Sequence, residues 1–348
     1  MNNKISLITF HHSLNYGANV QTYATCKILE NLGYEVEVID LRIKEHYSFI
    51  QKLIGLLRSF RFYRFRKNFI PISSRRYSSY TDLKNDPPKS DFYIVGSDQT
   101  WNPKITEDLS KAFVLDFGDR TKRRVAFSSS SGQYDWVNPE NKWYITLKEA
   151  LKDFYAVSVR EKYLKEILEN MGYKSYVTLD PSLLVSNYRE IIGIPRQNNS
   201  IVSYKFVMTN EYKNLLRILA KRYKKNVNLL GHMRYERGFK YHYPVGVAKW
   251  ISEIASAKIV LTDSFHGVAM CVMHNVNFVA FVGDMSKIGR IKDLLAALDL
   301  ESRLYVGANF DEDKICEIIE SPIDYGRVNK KLANLRSEAI SFLKLALS

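Results

Sequence analysis

Short apolar runs alternate with stretches of helical spacing along most of the chain. The first run, residues 5–10, is followed by residues 19–32, where apolar positions recur at helical spacing, and Gly33 stands where such a helix would end. Residues 35–41 then alternate between apolar and polar positions, which predicts a second strand. A strand, a helix and a strand in this order predict a parallel pair, and repetition of the unit predicts an α/β fold.

The alternation forms two series, which predicts two domains. The first series ends near residues 186–200, a segment with a glycine, a proline and consecutive amide side chains that we interpret as a linker. The strand–helix pattern then starts again, and a chain of 348 residues is long enough to form two cores. We predict a first domain over 1–190, a second over 200–326, and a terminal helix over 327–348 that crosses back to the first domain.

The positive charge of the chain is concentrated in one predicted insertion of the first domain, residues 46–81. The sequence has 51 Lys and Arg against 37 Asp and Glu, a net charge of +14, yet no acid occurs between Glu45 and Asp82. Eight cationic side chains alternate there with apolar and aromatic ones. This composition suits an anionic membrane surface, or a surface helix that packs its apolar face on the domain. Nucleic acid would also fit, but we expect none as a partner.

Several classes of function lack their sequence signatures. The GxGxxG, HExxH, HxxxH and GxSxG patterns are absent, so nothing predicts a dinucleotide, a metal or a hydrolase nucleophile. Asp311 and Asp313 resemble a metal-binding DxD pair, but they open a predicted helix, where acids favour the helix dipole. No apolar run could span a bilayer, and the first residues lack the features of a signal peptide, so we expect a cytoplasmic protein.

Five polar motifs follow predicted strands, at the positions where parallel sheets bind ligands. In the last of them an apolar strand ends in Thr-Asp-Ser, so Ser264 is a good N-cap, and the helix after it offers free N–H groups to an anion. The alternative is a capped core helix whose histidine, His266, is satisfied within the protein. The five motifs occupy residues 15–21, 96–102, 158–161, 179–184 and 262–267.

In this order the motifs resemble those of the polysaccharide pyruvyl transferase family. They have the forms N-Y-G-x-x-x-Q, G-S-D-Q-x-W-N, S-x-R-E, D-P-x-L-L and T-D-S-F-H-G. The run Ser128–Ser131 departs from the family's more usual alanine-containing version. The resemblance implies two Rossmann-like domains that face each other across a cleft, as in GT-B glycosyltransferases. It also implies transfer of pyruvate from phosphoenolpyruvate onto two sugar hydroxyls as a cyclic ketal, with no metal or other cofactor.

The resemblance further implies three catalytic residues. Arg160 would form a bidentate pair with the phosphate or the carboxylate of phosphoenolpyruvate, because a guanidinium matches the geometry of both groups. His266 would bind the phosphate or donate a proton, and Asp98 would act as the base or hold sugar hydroxyls.

Other motif residues are candidates for substrate binding. Glu161 would orient Arg160, Asp263 would brace the turn of His266, and Trp101 would either stack on a sugar or cover the core. The remaining candidates are Asn15, Tyr16, Gly17, Gln21, Ser97, Gln99, Ser264 and Gly267.

Two other functions stay open at this point. A GT-B glycosyltransferase would use a nucleotide sugar, and a non-catalytic glycan-binding protein would consume no phosphoenolpyruvate. For the transferase we expect a lipid-linked oligosaccharide acceptor, used for capsule or exopolysaccharide at the inner membrane face. The insertion would then dock on the bilayer through Phe60, Phe62 and Phe65 and through Arg61, Arg64, Arg66 and Lys67.

Overall fold

A computed structural model describes residues 3–43, 49–132, 137–232, 237–282, 289–307 and 309–348, without the side chains of residues 49–54. By its contacts the chain forms two compact units. The first comprises Met1–Ser48, Tyr63–Val185 and Asn334–Ser348, and the second comprises Phe49–Phe62 and Ser186–Ala333.

The first unit is built on a parallel sheet of seven strands with the order β3-β2-β1-β4-β5-β6-β7. The strands are β1 (Lys4–Ile8), β2 (Glu35–Leu41), β3 (Ile72–Tyr77), β4 (Phe92–Val95), β5 (Arg123–Ser129), β6 (Phe154–Val159) and β7 (Tyr176–Val177). The helices that precede β7 in the chain are α1 (Tyr16–Asn31), α2 (Phe49–Phe69), α3 (Tyr80–Asn85), α4 (Pro103–Thr106), α5 (Ser110–Phe113), α6 (Lys142–Leu151) and α7 (Lys162–Asn170). Most of α2, residues 49–62, belongs to the second unit.

The second unit is built on a parallel sheet of six strands with the order β10-β9-β8-β11-β12-β13. The strands are β8 (Ser200–Tyr204), β9 (Asn226–Leu230), β10 (Lys240–His242), β11 (Ile259–Thr262), β12 (Asn277–Val282) and β13 (Leu304–Val306). The helices are α8 (Arg189–Ile192), α9 (Asn210–Tyr223), α10 (Val247–Ser256), α11 (Phe265–Met273), α12 (Gly289–Ala297), α13 (Glu312–Glu320) and α14 (Tyr325–Leu347). The predicted fold class, two α/β domains with parallel sheets, is therefore confirmed for both units.

The central strands are apolar because both of their faces are covered, as is usual in parallel sheets. All residues of β8 and β11 are buried, and in β1 only Lys4 is not. The edge strands β3 and β10 differ, since most of their residues are polar. For this reason the sequence patterns did not predict either of these two edge strands. Strand β3 lies within the predicted insertion 46–81, so the end of that segment belongs to the sheet. Residues 46–48 of that insertion lie outside the described part of the chain.

Helix α14 runs from the second unit into the first, and its last turns are packed on the first unit. The Phe342 ring stacks on Phe127, with ring centroids 6.4 Å apart. Tyr34 Oη donates a hydrogen bond to the Leu347 carbonyl at 2.9 Å, and Arg336 Nε donates one to the Leu183 carbonyl at 2.6 Å. These contacts make residues 334–348 an integral part of the first core.

We predict that Leu343→Ala destabilises the protein by about 2–5 kcal/mol, because a buried leucine loses its packing and leaves a cavity. Leu345→Ala is the matched control on the same helix, since Leu343 is 0% exposed and Leu345 is 73% exposed. Urea unfolding of both variants checks this prediction. Equal midpoints for the two variants would show that this end of α14 is not packed on the first core.

Candidate functional site

Both sheets reverse their strand order next to their first strand, which defines where each unit offers a ligand site. The reversal lies between β1 and β4 in the first sheet and between β8 and β11 in the second. In open parallel sheets ligands bind at this switch point, outside the carboxyl ends of the strands. The motifs at residues 15–21 and 96–102 follow β1 and β4, and the motif at 262–267 follows β11. Each unit therefore carries motif residues at its own switch point.

Asn15 shapes the turn between β1 and α1. It is the N-cap of α1, and its side chain accepts a hydrogen bond from the Ala18 amide at 3.2 Å. The buried amide of Asn19 closes the same turn by donating to the Ser13 and Asn15 carbonyls, both at 2.8 Å. Asn15 itself stays exposed, and its role in substrate binding stays a prediction.

The other candidates of this motif are inside the first unit. Tyr16, Gly17 and Gln21 are buried, and Gln21 Nε2 donates to Thr9 Oγ1 at 2.9 Å. Among the described residues, Gln21 Oε1 finds no hydrogen-bond partner although it is buried. An unpaired buried oxygen is costly, so Gln21 is a buried polar residue whose hydrogen bonds are incomplete within the described part of the chain.

Asp98 occupies a strained turn after β4. Its φ is 75°, in the left-handed region that costs a non-glycine residue about 1 kcal/mol or more. Its backbone is fixed by two hydrogen bonds, from the Ser130 amide at 3.0 Å and the Thr100 amide at 2.7 Å to the Asp98 carbonyl. The Asp98 carboxylate accepts from the Gln99 amide at 2.9 Å. Strain of this kind concentrates at functional sites, which supports Asp98 as a candidate reacting group.

A closely packed loop holds Gln99 beside this turn. Gln99 Oε1 accepts a hydrogen bond from Asn102 Nδ2 at 3.0 Å. A Cβ atom on Gly132 would lie 1.8 Å from Gln99 Oε1, and Gly132 has a φ of 68°. Glycine avoids both this contact and the backbone strain at residue 132, so the serine-rich loop after β5 lies close to Gln99.

Beneath this edge lies a buried network of one cation and two carboxylates. Arg160 Nη1 donates to Asp180 Oδ2 at 2.5 Å, and Arg160 Nε lies 3.4 Å from Glu161 Oε1. Ser97 Oγ donates to Asp180 at 2.9 Å, and Ser130 Oγ donates to Glu161 at 2.5 Å. Three of the sequence motifs and the serine run therefore meet in one buried polar cluster of the first unit.

The charges of this network stabilise the Arg160 cation. Burial alone would lower the pKa of Arg160, but the carboxylates of Asp180, Glu161 and Asp98 outweigh burial and hold that pKa above its ordinary value. Sequence reasoning had not selected Asp180 or Ser130 as site residues. The D-P-x-L-L motif and the serine run were the signals for them.

Two expectations need correction here. Arg160 is buried and paired with Asp180 and Glu161, so it is not an open cation that awaits a substrate. Trp101 is fully buried in the first core, and its Nε1 donates to the Phe113 carbonyl at 3.0 Å. The interpretation of Trp101 as a stacking platform is therefore wrong, because its ring is enclosed by protein.

Two histidines follow β1 and have different surroundings. His11 Nε2 lies 3.0 Å from Asp40 Oδ1, and both residues are buried. Burial and the cations Arg66 and Arg42 lower the pKa of His12 to about 3. His12 therefore stays neutral in the folded protein.

In the second unit, Ser264 caps α11 as predicted. Ser264 Oγ accepts from the Gly267 amide at 3.4 Å, and the Ser264 amide donates to Thr262 Oγ1 at 3.1 Å. A Cβ atom on Gly267 would lie 2.4 Å from Thr262 Oγ1, so glycine lets the helix start directly above the strand. His266 is in the first turn of this helix and is largely buried.

Asp263 braces a different segment from the one we expected. Its carboxylate accepts from the Phe206 amide at 3.0 and 3.2 Å, so it holds the loop after β8 rather than the turn of His266. Lys205 Nζ lies 3.6 Å from Asp263 Oδ2. Burial raises the pKa of Asp263, and Lys205 opposes that shift. Sequence reasoning missed Lys205, because its position fell inside the predicted strand 201–206 rather than after it.

Two negative observations apply to the residues that the structure describes. No three His, Cys, Asp or Glu side chains among them converge as a metal site would require, and Asp311 instead caps α13 by accepting from the Lys314 amide at 3.1 Å. None of the described helices combines the length and apolar character that crossing a membrane needs.

Residues 15–284 match the sequence model of the family described as polysaccharide pyruvyl transferase. The chain belongs to the polysaccharide pyruvyl transferase family. The match spans all five motifs and confirms the family that they suggested. None of the curated proteins matches this sequence.

Solved structures with the same fold are GT-B epimerases and glycosyltransferases. UDP-GlcNAc 2-epimerase from Neisseria meningitidis, bound to UDP-GlcNAc, is 13% identical, with 98% of this chain and 99% of that chain covered and a TM-score of 0.61. The epimerase from Methanocaldococcus jannaschii, in complex with UDP-GlcNAc and UDP, is 14% identical, with 97% and 100% covered and a TM-score of 0.53. Arabidopsis thaliana UGT89C1, complexed with UDP-L-rhamnose, is 12% identical, with 98% and 100% covered and a TM-score of 0.52. At these identities the likeness concerns the fold alone.

We predict that Arg160→Ala lowers the free energy of unfolding by about 3–5 kcal/mol, because it leaves two buried carboxylates without their cation. Arg160→Lys keeps a positive charge and should lose less. The control is Arg120→Ala, since Arg120 pairs with Asp116 at 2.8 Å in an exposed position and should change the urea midpoint little. A midpoint for Arg160→Ala equal to that of the control would contradict the network as a structural element.

We also predict that His12 makes stability depend on pH. Its pKa is lower in the folded chain than in the unfolded one, so the unfolded chain binds the proton first as the pH falls below about 6.5. The free energy of unfolding should then fall by at most about 1.4 kcal/mol per pH unit. His12→Gln should show a smaller loss between pH 7 and pH 5 in urea unfolding, whereas Ser13→Ala should follow the parent. An unchanged loss in His12→Gln would refute this assignment.

Proposed function

We propose that this family member transfers pyruvate from phosphoenolpyruvate onto two hydroxyls of a sugar, in a cell-surface polysaccharide or its precursor. The observation that carries the proposal is the placement of family motifs at the switch points of both sheets. One switch point holds a carboxylate in a strained turn, Asp98, and the other holds a histidine at a helix start, His266. These are the two kinds of group that the reaction needs.

In this proposal the second unit binds the donor. Phosphoenolpyruvate carries a phosphate and a carboxylate, and the start of α11 presents the positive end of a helix dipole, which favours an anion. Lys205 supplies a cation at the end of β8, the strand that pairs with β11. His266 binds the phosphate or delivers a proton to the methylene carbon, and Ser264 and Gly267 shape the turn that presents it.

The first unit contributes the acceptor side in this proposal. Asp98 takes a proton from an attacking sugar hydroxyl or holds that hydroxyl, and the exposed Asn15 adds a hydrogen-bonding group. Arg160 acts as a positioning residue in this proposal. Its guanidinium interacts with the carboxylates of Asp180, Glu161 and Asp98, and so helps to hold the Asp98 turn in place. Gln99 and Ser97 hold the turn through their bonds to Asn102 and Asp180.

The proposed chemistry balances without a further reactant. Two sugar oxygens form bonds to the central carbon of phosphoenolpyruvate, and the bond from that carbon to the phosphate oxygen breaks. The two hydroxyls lose two protons. One proton reaches the methylene carbon, which becomes the methyl group of the ketal, and the other leaves with inorganic phosphate.

The proposed acceptor is a lipid-linked oligosaccharide used at the inner face of a membrane. This part of the proposal rests on the family's role in polysaccharide synthesis and on the basic segment around α2. It requires no membrane-spanning segment, since a peripheral protein can meet its acceptor at the surface.

The test is release of inorganic phosphate from phosphoenolpyruvate in the presence of lipid-linked or soluble glycan acceptors. His266→Gln and Asp98→Asn should each lower the rate by about a hundredfold or more, because each loses a charged or proton-transferring contact in the transition state. Asp313→Asn, on the exposed start of α13, is the matched control and should keep the parental rate.

Turnover in D2O tests the proton step, since the ketal methyl group should gain one deuterium. Sugar transfer from a nucleotide sugar without phosphate release from phosphoenolpyruvate would refute the proposal in favour of a GT-B glycosyltransferase. Glycan binding without either reaction would refute it in favour of a binding protein.

A further inference from the structure

One side of α2 exposes large apolar side chains to solvent. Leu56, Leu57, Phe60 and Tyr63 are 61%, 66%, 62% and 54% exposed. Residues 56, 60 and 63 are spaced by four and three positions, so they lie on one side of the helix, and Leu57 adjoins them. Four such residues together on one helix side mark an interaction site, whereas a single exposed leucine would not.

The opposite side of the same helix is already packed. Phe62 and Phe65 are buried, and the Phe65 ring lies 6.4 Å from that of Tyr23. Arg66 is buried as well, and its Nη1 donates to the His12 carbonyl at 3.1 Å. Helix α2 therefore packs on the protein through one side only, and the apolar side chains of its other side are not buried by the fold.

One arginine and one lysine lie on the same exposed side of α2. Arg64 and Lys67 follow Phe60 and Tyr63 by four residues each, so they lie on the same side of the helix. Both are exposed, and neither has an ion-pair partner within the described part of the chain. We call the set Leu56, Leu57, Phe60, Tyr63, Arg64 and Lys67 the α2 face.

Most other cations of this segment are bound to the protein. Arg61 donates to the Pro244 carbonyl at 2.6 Å, Arg75 pairs with Asp82 at 3.0 Å, and Arg76 lies 3.3 Å from Asp40. The aromatic residues that the sequence suggested for an interface also need correction, because Phe62 and Phe65 are buried. The side chain of Lys52 is outside what the structure describes.

We propose that the α2 face binds the surface of an anionic lipid bilayer. Apolar side chains flanked by Arg and Lys enter the boundary between acyl chains and headgroups, while the cations meet lipid phosphates. Charge complementarity selects this occupant, since no acid occurs between Glu45 and Asp82 and the whole chain carries +14. A second copy of the chain is a poor occupant, because two faces with only positive charges repel each other.

Helix geometry fits a peripheral contact. The helix has 21 residues, or about 30 Å at 1.5 Å per residue, and it would lie along the surface with the α2 face downward. This surface differs from the switch points of both sheets. The inference rests on the proposed function only for the lipid-linked acceptor, and it adds the surface that would meet the bilayer. It would bring the enzyme to a lipid-linked acceptor without using the residues of the proposed reaction.

The experiment is sedimentation of the full chain with vesicles of phosphatidylcholine, with and without phosphatidylglycerol, at low and high salt. We expect binding to the anionic vesicles, weakening with salt, and little binding to the neutral ones. The variant Arg64→Gln with Lys67→Gln should bind about tenfold or more weakly, and Leu57→Ser with Phe60→Ser similarly. Ile145→Ser with Ile194→Ser removes exposed apolar residues elsewhere, at 51% and 77% exposure, and should bind like the parent.

A second readout localises the contact. Because the three cysteines of the chain are buried, a cysteine introduced as Phe60→Cys can carry an environment-sensitive fluorophore. Its emission should shift to the blue with anionic vesicles, while the same label at Ile145→Cys should not respond.

Three outcomes would overturn the proposal. They are equal binding to neutral and anionic vesicles, parental binding by both double variants, and a dimer in sedimentation velocity that the same variants abolish. Phosphate release from phosphoenolpyruvate with a soluble acceptor, measured on every variant, should stay at the parental rate. A variant that loses vesicle binding but keeps turnover would support docking through the α2 face. Absence of turnover in the parent protein would refute the proposed function and leave the docking proposal untouched.

Discussion

The ion network of Arg160, Asp180 and Glu161 is the interaction on which the carboxyl edge of the first sheet depends. It joins the ends of β4, β5, β6 and β7 through one buried cation, and Ser97 and Ser130 each donate a hydrogen bond to one of its carboxylates. A buried cation is tolerated only when its partners are fixed, so every segment that supplies a partner must take one conformation. The strained turn of Asp98 rests on that rigid base, and its two backbone bonds reach the same serine-rich loop and the turn itself.

The same logic explains what the sequence could predict. The parallel sheets, their central strands and the cap at Ser264 follow from patterns within neighbouring elements, and the structure has all of them. The edge strands β3 and β10 have no apolar run, because one side of an edge strand is open to water. Pattern reading therefore found the centre of each sheet and missed part of its edges.

Motif reading was limited in a different way, since a motif names residue types but not their exposure. Trp101 could bind a sugar and Arg160 an anion by their chemistry, yet both are buried and form hydrogen bonds within the protein. Lys205 belongs to no motif, yet its place after β8 sets it beside Asp263. Which polar residues face a substrate depends on long-range contacts, such as that between Arg160 and Asp180 twenty residues later in the chain.

The first unit is assembled from three separate segments of chain, and this affects how the protein can be made. Its last segment, Asn334–Ser348, follows the whole second unit in the sequence and supplies Phe342 and Leu343 to the first core. During translation the first unit therefore cannot complete its core until the second unit has been synthesised. Neither unit is encoded by one continuous stretch of the gene, so transfer of a single gene segment could not have moved either unit alone into another protein.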